Sequence, residues 1–215
     1  LITMNDDPET EFLGGYYMQS IVKKLYDMNL GSCWIDIRSI SEDLKSKLLK
    51  DHTGDINYLL AFGLADEKAI KQKAPRKTIV STASSYKQDP YGVKADEALP
   101  SDKSRNSLSE IVYLYEWGEK AAYEELESRG MGDILFYVRN APSYKNLQPC
   151  RIVLKDGEAE LAVVNPEDGG SYTDAGIMMY TLEGLVKGSG IPGKWHFVRD
   201  ESENKEYRIV AKIEL

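Results

Sequence analysis

Cysteine and histidine are scarce in this sequence: two of each among 215 residues, Cys33 and Cys150, His52 and His196. Two cysteines outside any C-x-x-C pattern make no disulfide framework, so the default compartment is a reducing cytoplasm. Two histidines far apart, without ligand-spaced neighbours, argue against a zinc site. No apolar run approaches the roughly 20 residues that a membrane helix needs, and no signal peptide opens the chain. Basic residues are outnumbered, 27 Lys and Arg against 35 Asp and Glu, for a formal net charge of −8. No dense Lys/Arg stripe offsets this, which argues against a protein built to grip nucleic acid; two or three cations still suffice for a local phosphate site. A G-x-S-x-G elbow is missing, and "GLVKGSG" lacks the G-K-[ST] ending of a P-loop.

What is present suits a globular protein with a real core: 42% apolar and 29% charged residues,. The chain opens on "LITMNDD", which reads as the end of a strand running into a turn, so a preceding segment is expected. Leu13, Tyr17, Ile21 and Leu25, with Met18 and Met28, have helical spacing, and Gly31 is placed to cap that helix,. "SCWIDI" reads as a strand or extended loop. Ser41 caps a short helix "SEDLKSKLLKD", and "INYLLAFGLA" reads as a buried strand. Residues 66–104 are polar and weakly periodic, a connector long enough to favour a boundary. Beyond it a helix is expected over 118–129 and another over "GDILFYVRN". A strand at 151–155, a turn at Asp156-Gly157 and a strand "AELAVVN" follow. A helix within "DGGSYTDAGIMMYTLEGLVKGSG" and a closing strand "EYRIVAKIEL" complete the reading.

Two segments resemble each other. "GYYMQSIVKKLYDMNLGSCW" and "GIMMYTLEGLVKGSGIPGKW" both run 19 positions from Gly to Trp, Gly15 to Trp34 and Gly176 to Trp195, with Met18 and Met179 three residues after the glycine. With the connector, this suggests two copies of one fold in tandem.

The loop "RNAPSYKNLQPC", Arg139 to Cys150, concentrates polar and rigid residues between an apolar helix and a strand. Alone it reads as a turn. However, "APSYKNLQPC" resembles the A-P-S-x-x-N-x-Q-P-W loop of the flavin-dependent nitroreductase family. "TDAGIMM" resembles the family's D-x-G-I-A helix start, and "NLGSCWI" its G-L-G-S-C-W segment. "AFGLADEKAIKQKAPRK" followed by "SRNSLSEIV" resembles the tandem-repeat branch, which fuses two nitroreductase folds in one chain. Two departures stand out: Cys150 replaces Trp, and "RNSL" replaces R-K-P-L.

The resemblance implies an α+β, three-layer fold with a mixed, mainly antiparallel sheet flanked by helices. It is expected twice, as a pseudo-dimer: the end of a first repeat over 1–66, a connector over 67–104 and a second repeat over 105–215. It implies an FMN-dependent oxidoreductase that passes hydride from NAD(P)H to a nitroaromatic, quinone or similar small acceptor, as a pseudo-dimeric monomer or a homodimer. No side chain need act as acid or base. Pro142, Ser143 and Asn146 are the expected contacts to the pyrimidine edge of the ring. Gln148 either braces the loop or reaches the ring. Gly31, Ile35 and Asp36, in "GSCWID", would lie over the ring and offer main-chain N–H donors. Arg76, Lys77 and Arg105 are phosphate candidates or solvated linker charges. Cys150 reads as a buried replacement for Trp, and as a nucleophile only if Arg151 lowers its pKa. The rival expectation is a degenerate relative that binds or sequesters flavin, or another small ligand, without turnover.

Overall fold

A computed structural model describes residues 8–38, 40–50, 56–64, 105–166, 169–198 and 206–215. These form two compact units, one within Ser20–Ser104 and the other combining Asp6–Gln19 with Arg105–Leu215.

In the first unit, the C-terminal part of helix α1 (Pro8–Asp27) leads into strand β1 (Gly31–Asp36). The cap is Asn29, not Gly31. Asn29 takes φ 58°, Leu30 N–H returns to Leu25 O at 2.9 Å and Asn29 N–H to Tyr26 O at 2.9 Å. Asn tolerates this left-handed position, so Gly31 is free to begin the strand. Helix α2 (Glu42–Leu49) starts where expected, with Ser41 Oγ accepting from Leu44 N–H at 3.4 Å. Strand β2 (Tyr58–Gly63) pairs antiparallel with β1, Trp34 opposite Leu60. The expected buried strand is a half-exposed ribbon, with Phe62 at 66% exposure, because β1 is its single strand partner among the described residues.

The second unit is built on a five-stranded sheet. Its strands are β3 (Val112–Leu114), β4 (Cys150–Leu154), β5 (Glu158–Val164), β6 (Trp195–Phe197) and β7 (Tyr207–Glu214), in the order β3-β4-β5-β7-β6. Only β3–β4 is parallel, so the sheet is mixed and mainly antiparallel. Its helices are α3 (Leu108–Ile111), α4 (Tyr123–Ser128), α5 (Gly132–Val138) and α6 (Gly169–Gly188). Helix α6 packs on β4 and β5 and against α5. Leu126, Leu135, Val138, Ile152, Leu161, Leu182 and Ile213, among the core residues between sheet and helices, are almost fully buried.

A helix over 118–129 does not form; α4 starts only at Tyr123. The chain before it folds back on β3, with Leu114 N–H to Glu119 O at 2.8 Å and Ala121 N–H to Val112 O at 3.2 Å. Tyr115 (φ 62°) and Gly118 (φ 92°) make the reversal, which the helical period cannot accommodate,.

The first turns of α1 pack on α6 in this unit, and here the expected apolar stripe is not the contact face. Leu13 and Tyr17 are exposed; Phe12 and Gly15 are buried. A Cβ on Gly15 would lie 2.1 Å from Thr173 O, and one on Gly176 would lie 2.0 Å from Phe12 O. The backbones cross too closely for any other residue at either place. The contact is reciprocal: each glycine meets the residue three positions before the other.

Candidate functional site

The loop 139–150 leaves α5 through two turn bonds, Asn140 N–H to Tyr137 O at 3.0 Å and Ala141 N–H to Val138 O at 2.9 Å. Pro142 is exposed and carries the chain outward. A 3-10 turn follows at Tyr144–Asn146, and Lys145 (φ 46°), Asn146 (φ 56°) and Gln148 (φ 51°) all take left-handed backbone conformations. Three such non-glycine residues in four positions cost about 1 kcal/mol or more each and persist only where the surroundings hold them.

The bonds that hold them are specific. Ser143 Oγ accepts from Gln148 N–H at 2.9 Å. Gln148 Oε1 accepts from Asn106 N–H at 2.8 Å, and its amide donates to Asn146 O at 3.2 Å. Of the two roles considered for Gln148, its geometry is that of the brace. Arg151 donates to Gln148 O and Cys150 O, both at 2.8 Å. Tyr144 N–H donates to Asp174 Oδ1 at 3.0 Å, tying the loop to the start of α6. Asp174 is 5% exposed. It was visible only as the Asp of "TDAGIMM" and had no role assigned.

Arg105 donates from its guanidinium to Ala141 O at 2.8 Å, so this phosphate candidate does stand at the loop. A second guanidinium acts on it through its charge. Arg139 stacks over Phe136, 4.4 Å from the ring centroid, and its buried Nε–H has no hydrogen-bond partner. Burial, and then the like charge of Arg139, pull the Arg105 pKa below its usual range. Two cations whose like charges oppose each other, one of them with an unsatisfied buried donor, form a place where an anion would relieve both strains,. Arg139 opened the quoted loop, yet sequence reasoning passed over it; a cation next to the motif was the available signal.

Cys150 is 2% exposed. Burial first, and the Asp174 carboxylate second, push its thiol well up, against the pull of Arg151. It is a packing residue and not a nucleophile. The space behind the loop, lined by Pro142, Ser143, Gln148, Cys150 and Asp174 among others, is only about 10 Å³. That accommodates about one water and no ring system.

Gly31, Ile35 and Asp36 lie on β1 of the first unit, where Ile35 is 41% exposed. The Asp36 carboxylate is engaged by Arg38, through its Nη2 at 2.9 Å and its main-chain N–H at 2.9 Å. Arg76 and Lys77 lie outside the described residues, as do His52 and the connector. Among the described residues no cluster of metal-ligating side chains occurs, and no helix is long and apolar enough to cross a membrane.

Comparison with known proteins supports the class indicated by the loop and fold. A family model described as "Putative TM nitroreductase" matches residues 1–101, just under half of the chain. A solved structure described as a "putative nitroreductase", from Thermotoga maritima, superposes over 99% of this chain and 68% of its own, with 16% identity and a TM-score of 0.58. At that identity the likeness is one of fold. No curated protein matches the sequence. The chain is nitroreductase-like, in its family match and in its mixed α+β fold.

Proposed function

We propose that this protein is an FMN-dependent oxidoreductase of nitroreductase type, passing hydride from NAD(P)H to a nitroaromatic, quinone or similar small acceptor. The observation that carries the reading is the loop 139–150: a strained, braced turn that holds Arg105 at Ala141 O and carries Arg139, whose like charge acts on Arg105 and whose buried Nε–H is orphaned. An FMN phosphate fits that donor set. The redox chemistry, two electrons taken up and passed on, is what FMN supplies when bound.

The chain's own residues would do the rest. Arg105 and Arg139 hold the phosphate. Ser143 and Asn146 face the polar edge of the ring, with Pro142 fixing the approach and Gln148 keeping the turn in shape. The ring has no room behind the loop and has to lie outside it. Main-chain donors at Gly31, Ile35 and Asp36, and phosphate contacts from Arg76 and Lys77, belong to the reading on the resemblance alone. The second reading, flavin binding without turnover, is favoured by one feature: Cys150 is a small, sealed residue where the family has Trp.

We also propose the tandem repeat, with a first copy over 1–66, a connector over 67–104 and a second copy over 105–215. Helices α1 and α6 are both 20 residues long, and both their ends are 161 positions apart, 8 to 169 and 27 to 188. The same offset relates Trp34 to Trp195. The reciprocal glycine crossing is what a local two-fold between copies would produce, since such contacts are self-complementary,. One chain would then imitate a homodimer.

The test begins with colour. The purified full-length chain should carry flavin absorbance through gel filtration or take up added FMN. NAD(P)H should bleach it without oxygen, and a nitroaromatic or quinone should restore the colour. A colourless protein that refuses FMN sinks the proposal. FMN uptake without bleaching transfers the case to the second reading.

A further inference from the structure

A second and much larger cavity, about 330 Å³, lies in the second unit between the first turns of α1, the later turns of α6 and the segment Pro192–Phe197. Its size falls at the lower end of small-molecule sites, roughly 300–1,000 Å³. Phe12, Tyr16, Trp195 and Phe197 supply aromatic walls. The Phe12 and Phe197 rings are nearly parallel, at 18° with centroids 6.2 Å apart, and Trp195 is fixed by an N–H bond to Met179 O at 3.3 Å. Gly193 brings the segment down on α6: it has φ 53°, and a Cβ there would lie 2.6 Å from a Val186 methyl.

The cavity also has a polar edge. Tyr16 donates its hydroxyl to Glu183 Oε2 at 2.7 Å, and Lys187 pairs with Glu183 Oε1. Burial, then the bond to Glu183, raise the Tyr16 pKa, so the hydroxyl remains a donor. Glu183 is therefore answered from both sides. The charge left over in the lining is that of Lys194, at an exposed position.

We propose that this cavity binds a flat, singly anionic aromatic molecule, an aryl carboxylate of one or two fused rings, with its rings against Phe12, Tyr16 and Trp195 and its carboxylate at Lys194. A cation would meet a lining of net positive charge, and an aliphatic acid would leave the aromatic walls without a matching face. The proposal is independent of the flavin reading, because the cavity shares no lining residue with the 139–150 loop.

Titration of the full chain with 2-naphthoate, read by tryptophan quenching and by calorimetry, should show one saturable site with Kd below about 1 mM. Leu13→Trp, which fills the mouth from an exposed helix position, should abolish binding. Lys194→Glu should weaken 2-naphthoate about fivefold and leave neutral 2-naphthol unchanged. Circular dichroism of both surface variants checks that they fold. Absence of saturable heat up to about 1 mM ligand, or binding indifferent to Leu13→Trp, overturns the site. Equal weakening of 2-naphthoate and 2-naphthol by Lys194→Glu overturns the preference for an anion.

Discussion

Helices α1 and α6 have the same length and a glycine at the same place, yet they have opposite surroundings. Helix α6 is buried from Tyr172 to Met179, and Leu182 and Val186 continue its inner face. Helix α1 buries Phe12 and Leu25 but leaves Leu13, Tyr17 and Ile21 exposed. Apolar residues recur at helical spacing in α1 and run nearly all round in α6, and neither pattern says which face of α1 is used,. The glycines do. At Gly15 and Gly176 backbone meets backbone, and that contact fixes which side of α1 turns inward. The helices also differ at matched positions. Where α6 carries Asp174, which receives the loop, α1 carries Leu13, which lines the large cavity.

The strongest way to break this comparison is at the crossing. Gly15→Ala and Gly176→Ala should each destabilise the protein by about 2–3 kcal/mol, the usual cost of overpacking where backbone cannot give. Because one separation of the helices relieves both clashes, the double variant should cost clearly less than the two singles together. Urea denaturation at constant m-value measures it. Small, additive costs would mean that the crossing is loose and the glycines incidental.

Making α6 resemble α1 tests the functional half of the difference. Asp174→Leu strands Tyr144 N–H and should cost about 1–3 kcal/mol of stability. It should also lower FMN affinity by untying the loop. Arg139→Ala should weaken FMN tenfold or more, as expected for loss of a charge-assisted bond, while leaving stability nearly unchanged. Arg208 is the control: its Nε is also buried and unpartnered, but it stands on β7 and its guanidinium donates to Tyr172 OH at 3.0 Å, not to the loop backbone. If Arg208→Ala weakens FMN as much as Arg139→Ala, the paired guanidiniums are not a specific phosphate grip.

Much of this was legible in the chain because it is local. The short helix after Ser41, the strands around Asp156-Gly157 and the long helix after Asp168 follow from caps, turn residues and apolar period. The loop was legible as a motif, since Pro142, Ser143, Asn146 and Gln148 stand at fixed spacing. What the sequence did not disclose depends on distant partners. Arg139 matters because its charge acts on Arg105, 34 positions away in the chain. The reversal before α4 depends on β3 pairing with residues 119–121, and helical propensity has no information about that. Cys150 was open between nucleophile and filler until its burial decided the matter.

Cys150 also supplies a pH test, because the packing of α6 and β4 holds its thiol protonated. Its folded pKa lies above the unfolded value of about 8.5. The associated stability is therefore complete below about pH 8.5 and is lost as pH rises from there, at up to about 1.4 kcal/mol per pH unit. In Cys150→Ser that slope should flatten between about pH 9 and 10.5, even if the variant is less stable at pH 7. Cys33 is common to both proteins and cancels in the difference. An unchanged slope would mean that Cys150 ionises as easily folded as unfolded, and its reading as a sealed packing residue would fail.

The smallest effect separates two glycines on one helix. Gly184 lies in α6, eight residues after Gly176, and a Cβ there would meet nothing within 4 Å. Its backbone is helical and its surface is open, so alanine removes unfolded-state freedom without adding a contact. Gly184→Ala should stabilise the protein by about 0.5–1 kcal/mol, opposite in sign to Gly176→Ala. If both substitutions stabilise, α6 tolerates a side chain at its crossing and the close approach to α1 is wrong. If both destabilise, glycine matters throughout α6 for a reason other than contact with α1. Only opposite signs support the argument that one position in this helix, matched by Gly15 in the other, sets how the two pack.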